Sequence, residues 1–258
     1  MAIITFMSDF GHRDHYVAAV KAKIFSINPN INVVDITHSV ENFNIAHGAY
    51  ILKSVFRDFP QGSVHLVSVN APSGPDERAV AVKLEEHYFV GIDNGLFSLL
   101  SDKAPTAIVE LTKDSSYNRI FPEKTTLAAA AVALASGTNI YNIGTQISSL
   151  RSMLNRQVRV SKTQIGGHVI HVDQYGNLVT NISEELFYRQ KNNRSFTIHF
   201  ARETIDFVAD SYDSMDHGDC LVLFNSNGYM EIAISQGNAS ELLGLGFDSP
   251  VMINFSET

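Results

Sequence analysis

Short apolar runs alternate with amphipathic stretches over the first half of the chain. The runs "IITFM", "INVVDI", "VHLVSV" and "TAIVEL" predict strands, and "AVAVKL" with "HYFVGI" predicts a hairpin or a strand pair. In "DHYVAAVKAKIFSI", Val17, Val20, Ile24 and Ile27 recur at steps of three and four, as on one face of a helix. The stretches "NIAHGAYILKSVFRDF" and "TLAAAAVALASG" predict two further helices. This order is typical of an α/β domain with a central, mostly parallel sheet, which we expect over residues 1–155.

The pattern changes near residue 164, after a polar stretch over residues 152–164. The segments "GGHVIHVDQYGNLVTNI", "SFTIHF", "ETIDFVA", "CLVLFNSNGYMEIAI" and "SPVMINF" are short, alternating and separated by Gly, Asn and Asp. Such a series predicts an all-β module, either a small barrel or a sandwich. We expect an all-β, small-barrel domain over residues 164–258.

Composition excludes several classes of partner. The 258 residues carry a formal net charge of −8, which argues against nucleic acid or an anionic membrane as the main partner. No apolar run approaches the about 20 residues that a membrane span needs. The start "MAIITFMSDFG" is interpreted as a strand and not as a signal peptide. The single cysteine, Cys220, is interpreted as an inert buried thiol, and the expected compartment is the cytoplasm.

Several familiar site signatures are missing from the sequence. It contains no Gly-x-Gly-x-x-Gly after the first strand, no Gly-Lys-Ser/Thr loop and no Gly-x-Ser-x-Gly. His168 and His171 are an odd number of positions apart and so would point to opposite faces of a strand. His12 and His15 are better explained as polar residues that open a helix. We therefore expect no metal site.

Polar residues end the predicted strands: Ser8 and Asp9, Asp35, Asn70, and Asp93 with Asn94. Ligands of open α/β sheets bind outside the carboxyl ends of the strands, so these residues are site candidates by position.

Two aspartates near the first strand have different expected roles. Asp9, next to Gly11, suits a bidentate grip on vicinal hydroxyls such as those of a ribose, although an ordinary loop aspartate is the alternative. Asp14 is expected to be the N-cap of the first helix.

In the β module, "VDQYGNLVTNI" places Asp173, Tyr175 and Asn177 two positions apart. If this segment is extended, all three side chains share one face, where they could hold an ammonium group, a flat ring and the polar edge of that ring. The alternative is an Asx-turn hairpin at "YGN".

Six blocks of this sequence together resemble one known family. The blocks are "SDFGHRDHYVAAVK", "VVDITHSV", "FPQGSVHLVSV", "HYFVGIDNGLFS", "VDQYGNLVTNI" and "NSNGYMEIAISQGNA". In this order, and over nearly the whole chain, they are similar to the S-adenosylmethionine (SAM) hydroxide adenosyltransferases, relatives of the fluorinase and chlorinase enzymes. The resemblance implies an N-terminal α/β domain, a C-terminal β-barrel and a homotrimer. It also implies that SAM lies between one subunit's N-terminal domain and its neighbour's C-terminal domain.

The resemblance assigns roles toward the sugar and the amino acid of SAM. Asp9 would bind the ribose hydroxyls, and Phe43 stands where the family often has an aromatic residue near the methionine moiety. Asp173 would bind the methionine ammonium, and Ser226 the methionine carboxylate.

Four further residues are implied to contact adenine. Tyr175 and Asn177 would flank the ring or pair with it, and the backbone around Asn238 and Ala239 would touch it. The resemblance implies no cofactor, because SAM is itself the substrate, and the expected small-molecule partner is SAM or its product adenosine.

The chain departs from the family where water is activated. The water-using members carry an Asp and an Arg in the loop that here begins "NAPSG", and a His in a later His-Gly-Arg-Asp segment. Asn70 replaces that Asp, the Arg position aligns with Glu77 and is followed by Arg78, and Pro122 replaces the His. The predicted catalytic residues are therefore Asn70 and Arg78. Glu123 is either a substitute base or a solvated surface glutamate, and we expect the latter.

The resulting functional hypothesis is hydrolysis of SAM to adenosine and methionine by in-line attack of water or hydroxide at the ribose C5′. The sulfonium makes methionine a neutral leaving group, so the protein has to desolvate and align the nucleophile and assist the loss of a proton. The alternative is a SAM or adenosine binder that has lost the water-activating residues. Attack by halide is a third hypothesis, which the loop "NAPSG" favours and Glu123 opposes.

Overall fold

The chain folds into two separately packed units, Met1–Asn155 and Arg156–Thr258. The computed structural model describes residues 2–71, 77–112, 120–154 and 156–256. Among these residues, no helix is both long enough and apolar enough to cross a membrane.

The first unit contains a seven-stranded mixed sheet in the order β2-β1-β3-β5-β4-β6-β7. Its strands are β1 (Ile4–Ser8), β2 (Val33–Thr37), β3 (Val64–Ser68), β4 (Ala79–Leu84), β5 (His87–Ile92), β6 (Ala107–Leu111) and β7 (Gly144–Gln146). The pairs β1–β2, β1–β3 and β3–β5 are parallel, whereas β4–β5, β4–β6 and β6–β7 are antiparallel. The expected mostly parallel sheet is thus confirmed for one half only. The short Glu85–Glu86 turn forces β4 and β5 to run antiparallel.

All three helices predicted for the first unit are confirmed. They are α1 (Tyr16–Ile27), α2 (Ile45–Val55) and α3 (Thr126–Ala135). The two faces of the sheet carry separate apolar cores: α1 and α3 contribute to one, and α2 contributes to the other. Helices on both faces leave the ends of the strands as the place where a ligand can meet the sheet.

The predicted cap of α1 is wrong. The N-cap position is His15 and not Asp14, and no side-chain hydrogen bond is made there. His15 already has helical backbone angles (φ −80°, ψ −6°), so the chain enters α1 without the extended residue that a capping Asp needs. In α2, by contrast, the side chain of Asn44 accepts a hydrogen bond from the backbone N of His47.

The second unit is built on an antiparallel, barrel-like sheet with strand order β12-β11-β15-β9-β10-β14-β13 and β8 beside β9. Its strands are β8 (Arg159–Val160), β9 (Gln164–Val172), β10 (Leu178–Ser183), β11 (Phe196–Phe200), β12 (Glu203–Ile205), β13 (Cys220–Phe224), β14 (Tyr229–Ile234) and β15 (Pro250–Phe255). The first part of β9 pairs with β15 and its last part pairs with β10. The sheet therefore bends at β9 around one apolar core.

Two helices were not predicted for the second unit, α4 (Glu184–Lys191) and α5 (Ala239–Leu243). Ser183 caps α4 by accepting a hydrogen bond from the backbone N of Leu186, a signal that "SEEL" carries in the sequence. Cys220 on β13 is half-buried, and burial raises the pKa of its thiol, which keeps the thiol protonated.

Candidate functional site

The carboxylate of Asp9 connects three segments at the carboxyl end of the first sheet. Asp9 follows β1, and its backbone N donates to the carbonyl O of Ser68 at the end of β3 (3.1 Å). Its Oδ2 accepts hydrogen bonds from the backbone N of Phe43 (3.1 Å) and from the backbone N of Asn70 (3.0 Å). The structure thus brings together Asp9, Phe43 and Asn70, three residues that the sequence singled out.

Both residues that donate to Asp9 have left-handed backbone conformations. The φ angles are +65° for Phe43 and +44° for Asn70. Positive φ is rare for a bulky residue such as Phe and costs free energy, and residues held in this way cluster at functional sites. Phe43 is 75% exposed, and the contact that it makes with the Asp9 carboxylate comes from its backbone N.

Asn94 fixes the position of Asn70. Its side-chain Nδ2 donates to the carbonyl O of Val69 (2.7 Å) and to the carbonyl O of Asn70 (3.0 Å). Because Asn70 is held at its N–H by Asp9 and at its C=O by Asn94, its backbone is fixed at the strand end. Residues 72–74 of the "NAPSG" stretch lie outside the described residues.

Glu123 is buried beneath this cluster, so its interpretation as a solvated surface residue is wrong. It lies in the short 3-10 helix Pro122–Lys124 and is only 3% exposed. The Ser68 hydroxyl donates to its Oε1 (2.6 Å). Burial raises the pKa of Glu123 against the lowering effect of the Ser68 hydrogen bond, and the nearby Asp9 carboxylate raises it further.

Arg78, whose side chain is 33% exposed, forms an ion pair with the buried Asp93. Its guanidinium donates to Oδ2 of Asp93, which is 2% exposed and directly follows β5. The Asp93 carboxylate also accepts from the backbone N of Arg151 (2.9 and 3.1 Å). Glu77, which aligns with the Arg of the water-using relatives, pairs with the side chain of Arg151 (3.2 Å). In these contacts Arg78 holds neighbouring segments together, and its catalytic role stays a prediction.

A serine, a histidine and an aspartate support the Asp9 segment from behind. The Ser8 hydroxyl lies 2.7 Å from Nδ1 of His38, whose Nε2 lies 3.1 Å from Oδ1 of Asp35. Ser8 is completely buried, so this set cannot present a nucleophile to a substrate. Burial lowers the pKa of His38 more than Asp35 raises it, which favours the neutral ring. The backbone N of Gly11 donates to the carbonyl O of His38 (2.7 Å), which fixes the loop after Asp9.

In the second unit, residues 173–177 form the turn between β9 and β10. Asp173 Oδ1 accepts from the backbone N of Tyr175 (2.9 Å) and of Asn177 (2.8 Å), and Oδ2 accepts from Asn177 Nδ2 (3.0 Å). The prediction of an extended segment with three side chains on one face is therefore wrong, and the Asx-turn alternative is confirmed. Gly176, at φ +85°, makes this tight turn possible.

The same turn packs against the start of α5, where Asn238 is the N-cap and Ala239 is the first helical residue. The backbone N of Ser240 donates to the carbonyl O of Gly176 (2.8 Å). A Cβ added to Gly176 would lie 1.9 Å from Oδ1 of Asn238, the atom that caps α5. The structure thus brings together all five second-unit residues assigned to the ammonium and to adenine. Of these, Tyr175 is 79% exposed.

Ser226 lies apart from this cluster, exposed in the turn between β13 and β14. In the β10–β14 pair, Leu178 lies opposite Ile232 and Ser183 lies opposite Tyr229. The turn that contains Ser226 therefore lies near the Ser183 end of β10, whereas Asn177 lies at the other end. Tyr229 and Ile232 are three residues apart, about 10 Å along an extended strand. The assignment of Ser226 to a carboxylate stays a prediction that requires an elongated ligand.

Among the described residues, no group of three or more His, Cys, Asp and Glu side chains is arranged to hold a metal ion. His12 packs its ring against His38 (5.5 Å between centroids), and His15 packs against Tyr16 (4.6 Å).

Comparison with known proteins identifies the family of the chain. Residues 4–144 match the SAM hydroxide adenosyltransferase N-terminal domain, and residues 167–252 match the C-terminal domain. An (R)-S-adenosyl-L-methionine hydrolase of Methanocaldococcus jannaschii is 30% identical over 95% of this chain and 93% of its own. A fluorinase of an Actinoplanes species is 24% identical over 90% of each chain.

A solved structure extends the similarity to the fold. An uncharacterized conserved protein from Thermotoga maritima superposes with a TM-score of 0.90 at 29% identity, covering 98% of this chain and all of its own. Because the two domain models together match most of the sequence, in the expected order, the chain belongs to the SAM hydroxide adenosyltransferase family.

Proposed function

We propose that this protein hydrolyses (R)-S-adenosyl-L-methionine to adenosine and methionine, by in-line attack of water at the ribose C5′. The observation that carries the proposal is the Asp9 carboxylate, fixed at the sheet edge by two backbone N–H groups. Within the described residues both hydrogen bonds end on Oδ2, so Oδ1 keeps its acceptor capacity for a ribose hydroxyl. The relatives named as (R)-S-adenosyl-L-methionine hydrolases support the substrate and the reaction.

Cleavage of the C5′–S bond of SAM requires few catalytic groups from the protein. Departure of methionine from a sulfonium gives a neutral thioether, so no general acid is needed. The site has to hold C5′ in line with the nucleophile, exclude bulk water and accept a proton. In this proposal Asp9 holds the ribose, and the ring of Phe43 covers the methionine moiety.

The second unit supplies the remaining binding groups in this proposal. Asn177, with the backbone at Asn238 and Ala239, pairs with adenine, and the exposed ring of Tyr175 flanks it. The Asp173 carboxylate, which accepts hydrogen bonds within its turn, binds the methionine ammonium. The family resemblance suggests that a neighbouring subunit contributes these groups, and we propose a homotrimer, whose mass sedimentation or light scattering will measure.

Attack by halide is disfavoured by the same geometry. A buried carboxylate at Glu123 repels an anion when it is ionised, and among the described residues its side-chain donor is the Ser68 hydroxyl.

The test uses the two sulfonium epimers of SAM separately, with adenosine and methionine quantified by chromatography. We expect the (R) epimer to give both products in equal amounts, and Asp9→Ala to abolish product formation and ligand-induced thermal stabilisation. Asp102→Ala, which removes a carboxylate from a loop of the same unit, is the matched control and is expected to retain both.

The outcomes are distinct. Binding of SAM without any adenosine would show that the chain is a binder and not a hydrolase. Unchanged binding and turnover in Asp9→Ala would remove the observation on which the proposal rests.

A further inference from the structure

We propose that Glu123 accepts the proton of the attacking water in this protein, in place of the side chains that water-using relatives carry at Asn70 and Pro122. This inference rests on the proposed function and adds the identity of the base.

Glu123 lies close to the residues of the proposed ribose site. Glu123 and Asp9 are joined through Ser68, whose hydroxyl donates to Glu123 (2.6 Å) and whose carbonyl accepts from Asp9 (3.1 Å). Asn70, the residue that can orient water, follows Ser68 by two positions and donates to Asp9. The Glu123 carboxylate therefore lies at the strand ends where the ribose is proposed to bind.

Among the described residues, Glu123 is buried without a cationic partner. Two other largely buried acidic side chains of the first unit have arginine partners: Asp93 pairs with Arg78, and Glu85 pairs with Arg57. Glu123 is 3% exposed, and among the described residues its side-chain partner is the neutral Ser68. A buried carboxylate without a positive partner costs stability, and such groups concentrate at functional sites.

Asn70 and Pro122 cannot act as the base in place of Glu123. The Asn70 side chain can orient water by hydrogen bonding but cannot take its proton, and Pro122 has no polar side-chain atom. Burial and the Asp9 charge both raise the pKa of Glu123, which brings a carboxylate closer to the range where it works as a general base near neutral pH.

The step balances as follows. The water oxygen forms a bond to C5′ while the C5′–S bond breaks, and the electron pair of that bond goes to sulfur and neutralises the sulfonium. One proton of the water passes to the Glu123 carboxylate, which later releases it to solvent. The products are adenosine and methionine.

The test compares the full-length protein with Glu123→Gln, which keeps the shape and the hydrogen bond from Ser68. General base catalysis contributes about 10²- to 10⁴-fold, so we expect kcat to fall by that range while the Kd for SAM stays within about threefold. Glu110→Gln, on β6 of the same unit, is the matched control and is expected to keep wild-type kcat.

The pH profile gives a second readout. Turnover of the wild type should rise with pH as Glu123 ionises, and Glu123→Gln should lack this rise. Ser68→Ala removes the hydrogen bond that lowers the pKa of Glu123, so the rise should move to higher pH. Asp9, directly after β1, is the charged group that acts on Glu123. The helix α3 carries no titratable side chain, and Tyr16 on α1 packs against Phe121 (5.6 Å between centroids).

Turnover of Glu123→Gln within about threefold of the wild type would overturn the inference and leave the proposed function standing. If that variant does not fold, Ser68→Ala decides, and an unshifted pH profile overturns the inference. A wild-type protein that binds SAM and forms no adenosine would instead refute the proposed function.

Discussion

At the scale of single residues, the site consists of carboxylates held in unlike environments. Asp9 lies at the strand ends and is fixed by backbone N–H groups, whereas Glu123 is buried against a serine hydroxyl. Asp9 could be predicted from the sequence because it ends an apolar run beside Gly11. The burial of Glu123 could not, because it depends on contact with Ser68, 55 residues away in the chain.

The environment of Glu123 predicts a trade-off between stability and function. The pKa of Glu123 is higher in the folded than in the unfolded protein, so protonation of this side chain stabilises the fold. This stabilisation is complete at pH values below the unfolded pKa, and it is lost as the pH rises through the folded pKa. Glutamine cannot ionise, so Glu123→Gln should melt at a higher temperature than the wild type at pH 8 and at nearly the same temperature at pH 4. Each kcal/mol added to the free energy of unfolding by the substitution raises the melting temperature by about 2–4 °C.

Thermal melts of both proteins at the two pH values will measure this difference. Equal melting temperatures at pH 8 would contradict an ionised carboxylate buried at a cost to stability.

At the scale of elements, periodicity predicted helices and strands better than it predicted the site turn. The apolar stripe of α1 and the apolar run of α3 were sufficient to predict those helices, because the spacing of apolar residues within each segment defines its buried face. For residues 173–177 the sequence left an extended segment and an Asx turn as alternatives. The Asp173 side chain accepts from backbone N–H groups two and four residues ahead, which closes the turn. The helix α4 was missed because its sequence is largely charged, so its N-terminal cap was the main local signal.

The packing of Gly176 against Asn238 gives a prediction for Gly176→Ala. The added Cβ would meet the Asn238 side chain at 1.9 Å, so the two adenine-binding segments should move apart. We expect the Kd for adenosine or SAM to rise by at least tenfold, together with more than about 1 kcal/mol of destabilisation from the positive φ. Isothermal titration calorimetry will measure the binding.

Gly218→Ala is the matched control for Gly176→Ala. Gly218 has a similar φ (+92° against +85°), but nothing lies within 4 Å of its added Cβ. This variant should show a comparable loss of stability with unchanged binding. If the two variants bind equally well, the contact between the two segments is irrelevant to the ligand.

At the scale of the whole molecule, residues assigned to one ligand are divided between two units with separate cores. The first unit holds the ribose and the reacting carbon in the proposed function, and the second holds adenine and the methionine ammonium. Sequence pattern predicted an α/β unit followed by a β unit, and the family resemblance supplied the roles. The predicted pairing of β4 with β5 is confirmed and is antiparallel. Neither the pattern nor the resemblance predicted the antiparallel β4–β6 and β6–β7 pairs, which join segments far apart in the chain.

The most direct measurement of the central claim is hydrolysis of SAM in water enriched in oxygen-18, followed by mass spectrometry of both products. Attack of water at C5′ places the label in the 5′-hydroxyl of adenosine and leaves methionine unlabelled, and this is the result we predict. Adenosine that forms without the label, or no adenosine above an enzyme-free sample, would contradict the account.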